Sequence, residues 1–295
     1  MKKIFLIIAI SLISFNSNAE DLKNKAKSKF TSNFSKYLNE SLGEIFPTAE
    51  VGLTSGKTQK VKGHILVVKP LSDINDKQNT TFTQGSIYFS DNDRETLNTG
   101  LVYRTLNQDM TRMYGINIFY DHEFNHGHAR TGLGFEMKSS VYDVNINFYE
   151  AMTERHHVEG APEVAAGGYD AEIGALLPYL PWAKLYYKTY QWNNITQNIR
   201  HGQTVSLYME PTSRLSVEAG MQDDSTTNHN NAFLKLNYIV CCNERKMGPS
   251  IFTVSKSAYT FGRINPDRMY EKVRRENNIV TVKGGGGIAI TASGF

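Results

Sequence analysis

Three histidines and two carboxylates lie within a stretch of eight residues, in a spacing that could bind a metal ion. His122, His126 and His128 stand beside Asp121 and Glu123, and imidazole and carboxylate are suitable zinc ligands. A turn between two strands would point these side chains in different directions, however, so we favour a structural interpretation. The sequence therefore predicts no metal site and no bound cofactor.

Two further groups of polar residues could do chemistry. His156 and His157 lie in the longest predicted connection, residues 151–167, where a solvated polar loop is the ordinary explanation. A hydrolytic set would activate water or serine by general-base catalysis. Its candidate members are Asp121, His122, Asp223, Asp224 and His229. Because no nucleophile elbow or metalloprotease helix motif accompanies them, we predict no catalytic residues and no enzyme.

The residues from Tyr114 to Tyr149 position the first of these groups, and they form the clearest pattern in the chain. Charged residues or glycines alternate with apolar residues over 128–137, and the alternation repeats over 142–148. A period of two predicts β-strands, although an antiparallel sheet with one face in water gives the same pattern. Segments of about 9–11 residues are long enough to cross a bilayer obliquely. Alternation over that length is typical of a transmembrane β-barrel.

The first nineteen residues have the features of a secretory signal peptide. Lys2 and Lys3 precede an apolar stretch from Ile4 to Phe15, and small residues lead to a predicted cleavage site near Ala19. The apolar stretch is too short for an anchor, because a spanning helix needs roughly 18 or more apolar residues. A protein without such a helix can span a membrane only as a closed barrel.

The composition is that of an ordinary folded protein, with 295 residues, 40% hydrophobic residues, 21% charged residues and a formal net charge of +3. Basic residues are scattered and no nucleic-acid motif is present, so we predict no nucleic-acid partner. The neighbouring Cys241 and Cys242 give no disulfide framework. Two small residues ending a strand are the simpler interpretation, and a vicinal bridge is the alternative.

Twelve strand patterns follow one another and predict an all-β fold. They lie at about 49–55, 61–71, 80–90, 95–106, 110–123, 128–138, 141–150, 167–177, 182–192, 203–210, 214–222 and 230–240. Bacterial barrels usually have an even number of antiparallel strands. Apolar residues recurring mostly every four positions predict an amphipathic helix before them, ended by Pro47. We therefore expect a periplasmic helix at 20–47 and a twelve-stranded antiparallel transmembrane barrel at 48–240.

The predicted inner face of these strands is polar and carries both signs of charge. It includes Asn98, Arg104, Asn117, Asp121, His128, Arg130, Glu136, Asp143, Asn145, Asp170 and Glu172, with Lys184, Lys188, Glu210, Glu218, Lys235 and Asn237 further along. Charges that leave water must be paired, so we expect ion pairs and hydrogen bonds across the lumen. Such a lumen could hold a plug or a narrow water channel.

Several motifs, in order and spacing, resemble the β-domain of inverse autotransporters, the intimin and invasin family of outer-membrane adhesins. They are FTQGSIYF, RETLNTGLVYR, GINIFYDHEFNHGHARTGLGFE, NINFYE, GGYDAEIGALLPYLP and LYYKTYQW, followed by RMYEKVRRENNIV. In the last motif Arg268, Val273, Arg275, Asn277, Asn278 and Ile279 match the family. The resemblance covers roughly residues 25–283, which is nearly the whole chain after the signal peptide.

The resemblance implies a twelve-stranded barrel in the outer membrane of a Gram-negative bacterium, surrounded by lipid and lipopolysaccharide. Periplasmic chaperones and the barrel assembly machinery would insert it. In that family the segment after the last strand threads back through the lumen and carries a passenger with a receptor-binding tip. Residues 241–283 would be this linker here, and residues 284–295 a short flexible tail.

The sequence departs from the family in two respects. Only GGGGIAITASGF follows Lys283, so we expect no passenger domain in this chain. We also expect no long periplasmic peptidoglycan-binding module between the signal peptide and the helix. The resulting hypothesis is an outer-membrane barrel that anchors and exports its C-terminal segment, in association with adhesion to a host or surface receptor. The alternatives are a porin-like channel and an adhesin acting through its loops. A barrel hydrolase is a third alternative that no motif supports.

Overall fold

Strands make up nearly all of the regular structure in the computed structural model, which describes residues 48–56, 61–90, 94–193, 200–225, 230–242 and 253–283. The strands are β1 (Thr48–Gly56), β2 (Lys62–Pro70), β3 (Asn79–Phe89), β4 (Glu95–Leu106), β5 (Arg112–Glu123), β6 (Ala129–Ser139), β7 (Tyr142–Ala151), β8 (His156–Val158), β9 (Ala161–Ala165), β10 (Gly168–Leu177), β11 (Leu180–Trp192), β12 (Arg200–Met209), β13 (Leu215–Asp224), β14 (Asn231–Cys242) and β15 (Thr281–Lys283). A 3₁₀ helix spans Pro266–Tyr270.

Twelve of these strands close into one antiparallel barrel in the order β1-β14-β13-β12-β11-β10-β7-β6-β5-β4-β3-β2. β1 closes it by pairing with both β2 and β14, and a bulge between Ala49 and Glu50 shifts its register against β14. Because the number of strands is even, β1 begins and β14 ends at the same rim. We call this the entry rim and the opposite one the exit rim.

Alternation along each strand separates an apolar outside from a polar inside. In β5, Ile116 and Ile118 are 52% and 56% exposed, whereas Asn117 between them is 4% exposed. Leu101, Leu133 and other large apolar side chains of neighbouring strands are exposed on the same outer face. A closed barrel with an apolar outer band leaves no unpaired strand edge in contact with lipid.

A second, three-stranded sheet lies at the exit rim, in the order β15-β9-β8. β8 and β9 form a hairpin within the connection from β7 to β10, and β15 comes from the segment after the barrel. In the part of the chain covered by the structure, no helix is both long and apolar enough to cross a membrane.

The predicted twelve-stranded antiparallel barrel is confirmed. Some strand boundaries differ from the prediction by two or three residues: β12 begins at Arg200, β13 ends at Asp224 and β14 continues to Cys242. Residues 151–167 are not a plain loop, because they contain β8 and β9. The predicted signal peptide (1–19), helix (20–47) and tail (284–295) lie outside the described residues.

Candidate functional site: the segment that threads the lumen

The segment after the barrel, residues 253–283, first follows the entry rim. The backbone of Tyr179, in the β10–β11 turn, exchanges hydrogen bonds with Ser255 and Ala258, at 2.8 and 3.0 Å. Further along, the amide of Ile264 donates to the carbonyl of Met110, in the β4–β5 turn, at 2.6 Å. These contacts bring the segment to the side of the barrel from which it enters the lumen.

At the entry rim, Arg104 holds the first turn of the threaded segment. Its guanidinium donates to the carbonyl oxygens of Met269 and Glu271, at 2.9 and 2.6 Å, and to the Glu136 carboxylate at 2.8 and 3.0 Å. Arg268 reaches the opposite way and donates to Asp143 at 2.9 Å. Arg104 of the wall thus contacts the segment, and Arg268 of the segment contacts the wall.

In the middle of the lumen two adjacent arginines contact different parts of the wall. Arg274 donates to Glu172 of β10 at 2.6 and 3.0 Å and to Glu218 of β13 at 3.0 Å. Arg275 donates to both carboxylate oxygens of Asp121 in β5, at 2.9 and 2.7 Å. Because a buried charge is costly unless it is paired, these pairs connect the segment to the wall on two sides.

Wall side chains also satisfy the backbone of the segment. Gln84 accepts from the amide of Val273 at 2.9 Å, and the Tyr149 hydroxyl accepts from the amide of Glu276 at 2.7 Å. Arg130 donates to the carbonyl of Glu276, and Asn98 to that of Asn277, both at 2.8 Å. Asn147 donates to the carbonyl of Arg274 at 3.1 Å. Over this stretch the segment is not paired in a β-sheet, so its backbone needs such partners, since unpaired buried backbone groups are costly.

Toward the exit rim the contacts become uncharged. Asn277 donates to the Tyr88 hydroxyl at 2.9 Å, and the hydroxyl of Ser90 donates to the side-chain oxygen of Asn278 at 3.0 Å. Val280 and Val282 then pack with Trp192 and neighbouring wall residues. The segment is therefore enclosed along its whole course through the barrel.

At the exit rim the segment becomes β15 and pairs with β9. The hairpin that carries β9 is tied to the wall by Glu163, whose carboxylate accepts from Arg94 at 2.6 Å and from His128 at 3.0 Å. Burial would raise the pKa of the Glu163 carboxyl, but the hydrogen bonds from His128 and Arg94 outweigh it and lower that pKa to about 2. An ionised, fully buried glutamate thus holds the hairpin to the wall.

The structure places the eleven predicted inward residues in buried positions, each less than one tenth exposed. They are Asn98, Arg104, Asn117, Asp121, His128, Arg130, Glu136, Asp143, Asn145, Asp170 and Glu172. Of the predicted linker residues, Val273, Arg275, Asn277 and Asn278 are equally buried, and Arg268 lies at the entry rim. That these residues serve to hold an exported segment stays a prediction.

The histidines that suggested a metal site do not converge. His122 lies against Tyr120 and Phe124, His126 pairs with Glu123, and His128 pairs with Glu163. Over the described ranges no group of three or more His, Cys, Asp or Glu side chains is arranged to hold a metal ion.

The residues suggested for hydrolysis are likewise separated. Asp121 is engaged by Arg130 and Arg275, and Asp224 by Arg200. Asp223 lies 3.5 Å from the side-chain amide of Gln203. His229 lies outside the described residues.

Several wall residues that contact the segment were not predicted from the sequence. Gln84, Tyr88 and Tyr149 were not singled out, although the strand alternation assigns them to the inner face. Arg94 and Glu163 lie outside the predicted strands, although Arg94 begins the motif RETLNTGLVYR that carries the resemblance. Arg274 could have been found, since it stands next to Arg275 as an adjacent basic pair.

The family model described as "Inverse autotransporter, beta-domain" matches residues 9–277. A putative attaching and effacing protein homolog of Escherichia coli (strain K12) is 27% identical over 197 residues, which cover 65% of this chain and 65% of the relative. The inverse autotransporter adhesin YeeJ of the same strain is 26% identical over 238 residues, covering 74% of this chain and 10% of the relative. The chain thus spans less than two thirds of either relative.

A solved structure from work on the in-meso crystallisation of membrane proteins has the same fold. It superposes with a TM-score of 0.63 at 21% identity, covering 81% of this chain and 99% of that one.

Proposed function

Because this chain belongs to the inverse autotransporter β-domain family, we propose that its barrel anchors and exports the segment that follows the last strand. The chain is a barrel of the Gram-negative outer membrane, in contact with lipid and lipopolysaccharide. In this proposal residues 48–240 form the translocator, residues 241–283 the linker that spans its lumen, and residues 284–295 a tail at the cell surface. In the same proposal residues 1–19 serve as a signal peptide and residues 20–47 as a periplasmic helix.

One observation carries the proposal: residues 264–283 run through the barrel from the entry rim to the exit rim. Arg104 holds the segment at one end and β9 at the other, and Asp121 holds Arg275 between them. Since β14 ends at the entry rim, a chain that continues at the exit rim has crossed the thickness of the barrel. This path is what export to the cell surface requires.

The proposal includes adhesion because one of the relatives is named as an adhesin. YeeJ is named as an inverse autotransporter adhesin, and we propose that this barrel likewise serves adhesion to a host or surface receptor. Periplasmic chaperones and the barrel assembly machinery are the proposed partners during insertion. The ion pairs of Asp121 support a structural role for this carboxylate, so we propose no catalytic activity.

The test is surface labelling of intact cells that carry an epitope tag after Phe295. We expect the tag to be labelled while the outer membrane is intact, because the segment leaves the lumen at the exit rim. A tag on the entry-rim turn 71–78 is the matched control and should be labelled only after permeabilisation. If the C-terminal tag also needs permeabilisation, the export proposal is wrong and a channel or loop adhesin takes its place.

A further inference from the structure

Two arginines of the threaded segment occupy sites whose carboxylates and aromatic rings all come from the barrel wall, and Arg275 also donates to Asn277 of the segment at 3.2 Å. We propose that the wall carries two guanidinium sockets, which bind the adjacent pair Arg274–Arg275 and thereby set the register at which the segment stops in the lumen. This inference rests on the proposed export function and names the binding sites that end the movement. The ligand class is a planar guanidinium cation on a peptide chain.

The first socket consists of Glu172, Glu218, Tyr186 and Tyr208. Nε and Nη2 of Arg274 donate to the two oxygens of Glu172, at 2.6 and 3.0 Å, and its two terminal nitrogens face Glu218 at 3.0 and 3.4 Å. The guanidinium carbon lies 3.9 Å from the ring centroid of Tyr186 and 5.9 Å from that of Tyr208. Two carboxylates and a ring face match a flat cation with several N–H groups, whereas an ammonium is a compact point charge.

The second socket consists of Asp121, Phe119 and Tyr149. Both terminal nitrogens of Arg275 donate to Asp121, and the guanidinium carbon lies 4.3 Å from the Phe119 centroid and 5.5 Å from that of Tyr149. Gly132 leaves the space for it, since a methyl group there would lie 3.0 Å from Nη2. The same combination of bidentate carboxylate and ring therefore occurs twice in the wall.

The ring of each socket lies on a glycine of the adjacent strand. Tyr186 is directly opposite Gly174, and Phe119 is directly opposite Gly100. A Cβ at Gly174 would lie 2.2 Å from the Tyr186 ring, and one at Gly100 would lie 2.3 Å from the Phe119 ring. A ring packed flat on a glycine of the neighbouring strand is held by the sheet itself. The sheet thus fixes the rings independently of the segment.

The two sockets together recognise one position of the chain. The first belongs to β10, β11, β12 and β13 and the second mainly to β5, so one arginine cannot fill both. Between residues 243 and 295 the sequence has two adjacent basic pairs, Arg245–Lys246 and Arg274–Arg275. Only the second pair offers two guanidinium groups, so only it satisfies both sockets.

The experiment measures register in the full chain by disulfide cross-linking between Ala165→Cys and Thr281→Cys, in a background with Cys241→Ser and Cys242→Ser. Residues 165 and 281 are directly paired, so the cross-link reports the correct stop. The control pair is Val164→Cys with Thr281→Cys, whose side chains lie on opposite faces of the small sheet. We expect the double variant Arg274→Lys/Arg275→Lys, which keeps both charges, to lower the cross-link yield several-fold.

Chemical rescue identifies the ligand class. In Arg274→Ala, millimolar methylguanidinium should restore the cross-link yield, while methylammonium at the same concentration should not. Wild-type yield in the double lysine variant, or equal rescue by both cations, would overturn the inference. If the Arg274→Ala variant does not insert into the outer membrane, the cross-link yields of the lysine variants alone test the inference. If the C-terminal tag of the wild-type chain is labelled on intact cells but the lysine variants keep the wild-type cross-link yield, the socket inference is wrong and the export proposal stands.

Discussion

Single side chains in the lumen make several contacts at once, and Arg104 is an example. It is fully buried, pairs with Glu136 and donates to two carbonyl groups of the threaded segment. A planar guanidinium has five N–H donors in a fixed geometry, so one side chain can serve the wall and the segment together. Removing it would leave the buried Glu136 carboxylate with only Lys138, at 3.4 Å, and would leave backbone oxygens of the segment without this donor.

We therefore expect Arg104→Met to destabilise the folded barrel by about 3–5 kcal/mol, the usual cost of breaking a buried ion pair. The measurement is the temperature at which the heat-resistant band in gel electrophoresis converts to the unfolded one. The double variant Arg104→Met/Glu136→Gln should recover part of the loss, since no buried charge is left unpaired. Equal losses in both variants would contradict this account.

Glu163 gives a pH dependence at the exit rim. Its folded-state pKa of about 2 lies below its ordinary value of 4.5, so its stabilisation is present above pH 4.5 and is lost as the pH falls toward 2. The effect is at most about 3 kcal/mol. We expect the hydrogen-exchange protection factors of residues 156–165, which correct for the pH dependence of intrinsic exchange, to fall over this range.

Glu163→Gln is the matched variant, because it keeps the shape and loses the charge. It should show faster exchange of the hairpin already at neutral pH and a much weaker change on acidification. An unchanged acid response in the variant would assign the effect to another group.

At the scale of elements, the small sheet at the exit rim depends on backbone pairing rather than on long strands. β15 has three residues and is bound along one edge by β9. The amide of Ala166 donates to the carbonyl of Val280 at 2.7 Å, and antiparallel pairs alternate between hydrogen-bonded and non-hydrogen-bonded. Val282 is therefore the next residue whose N–H points at β9, while that of Thr281 points away.

A proline at these two positions should act differently. Val282→Pro removes an N–H that faces β9, so we expect the hairpin at 156–165 to exchange its amide hydrogens at least about tenfold faster, a change of roughly 1.4 kcal/mol. Thr281→Pro, which removes an equally buried side chain, should have a clearly smaller effect. Equal effects would show that side-chain packing, not strand pairing, holds β15.

At the scale of the whole molecule, the barrel and its threaded segment form one enclosed structure. Wall carboxylates such as Asp121, Glu172 and Glu218 find cationic partners on the segment. Without the segment, Asp121 and Glu218 would keep only their cationic wall partners Arg130 and Lys235. We expect a water-filled lumen that favours cations. We therefore predict that the wall that holds the segment forms a channel when the segment is removed.

Single-channel recording tests this relation. We expect the full chain to stay closed or nearly closed, and the chain lacking residues 253–295 to conduct with preference for cations. Adding Glu172→Gln and Glu218→Gln to the deletion should weaken the cation preference. Steady conductance that is the same with and without the segment would contradict the threaded, closed lumen.

The sequence by itself determined the barrel. A period of two is a local property of a strand, and twelve such patterns predicted the strand number and most boundaries. It also indicated which side of each strand is polar, since the alternation assigns Asn117 to the inside and Ile116 to the outside. The family resemblance added the expectation of a threaded linker, but no particular contacts.

The tertiary structure decided which side chains meet. Asp121 and Arg275 are 154 positions apart in the chain, and no periodicity connects the strand that carries one with the linker that carries the other. The sheet of β8, β9 and β15 was also beyond prediction, because strands of three to five residues are too short to show a period. Pairings inside a lumen depend on barrel closure and register, which bring distant residues together only when the whole chain is folded.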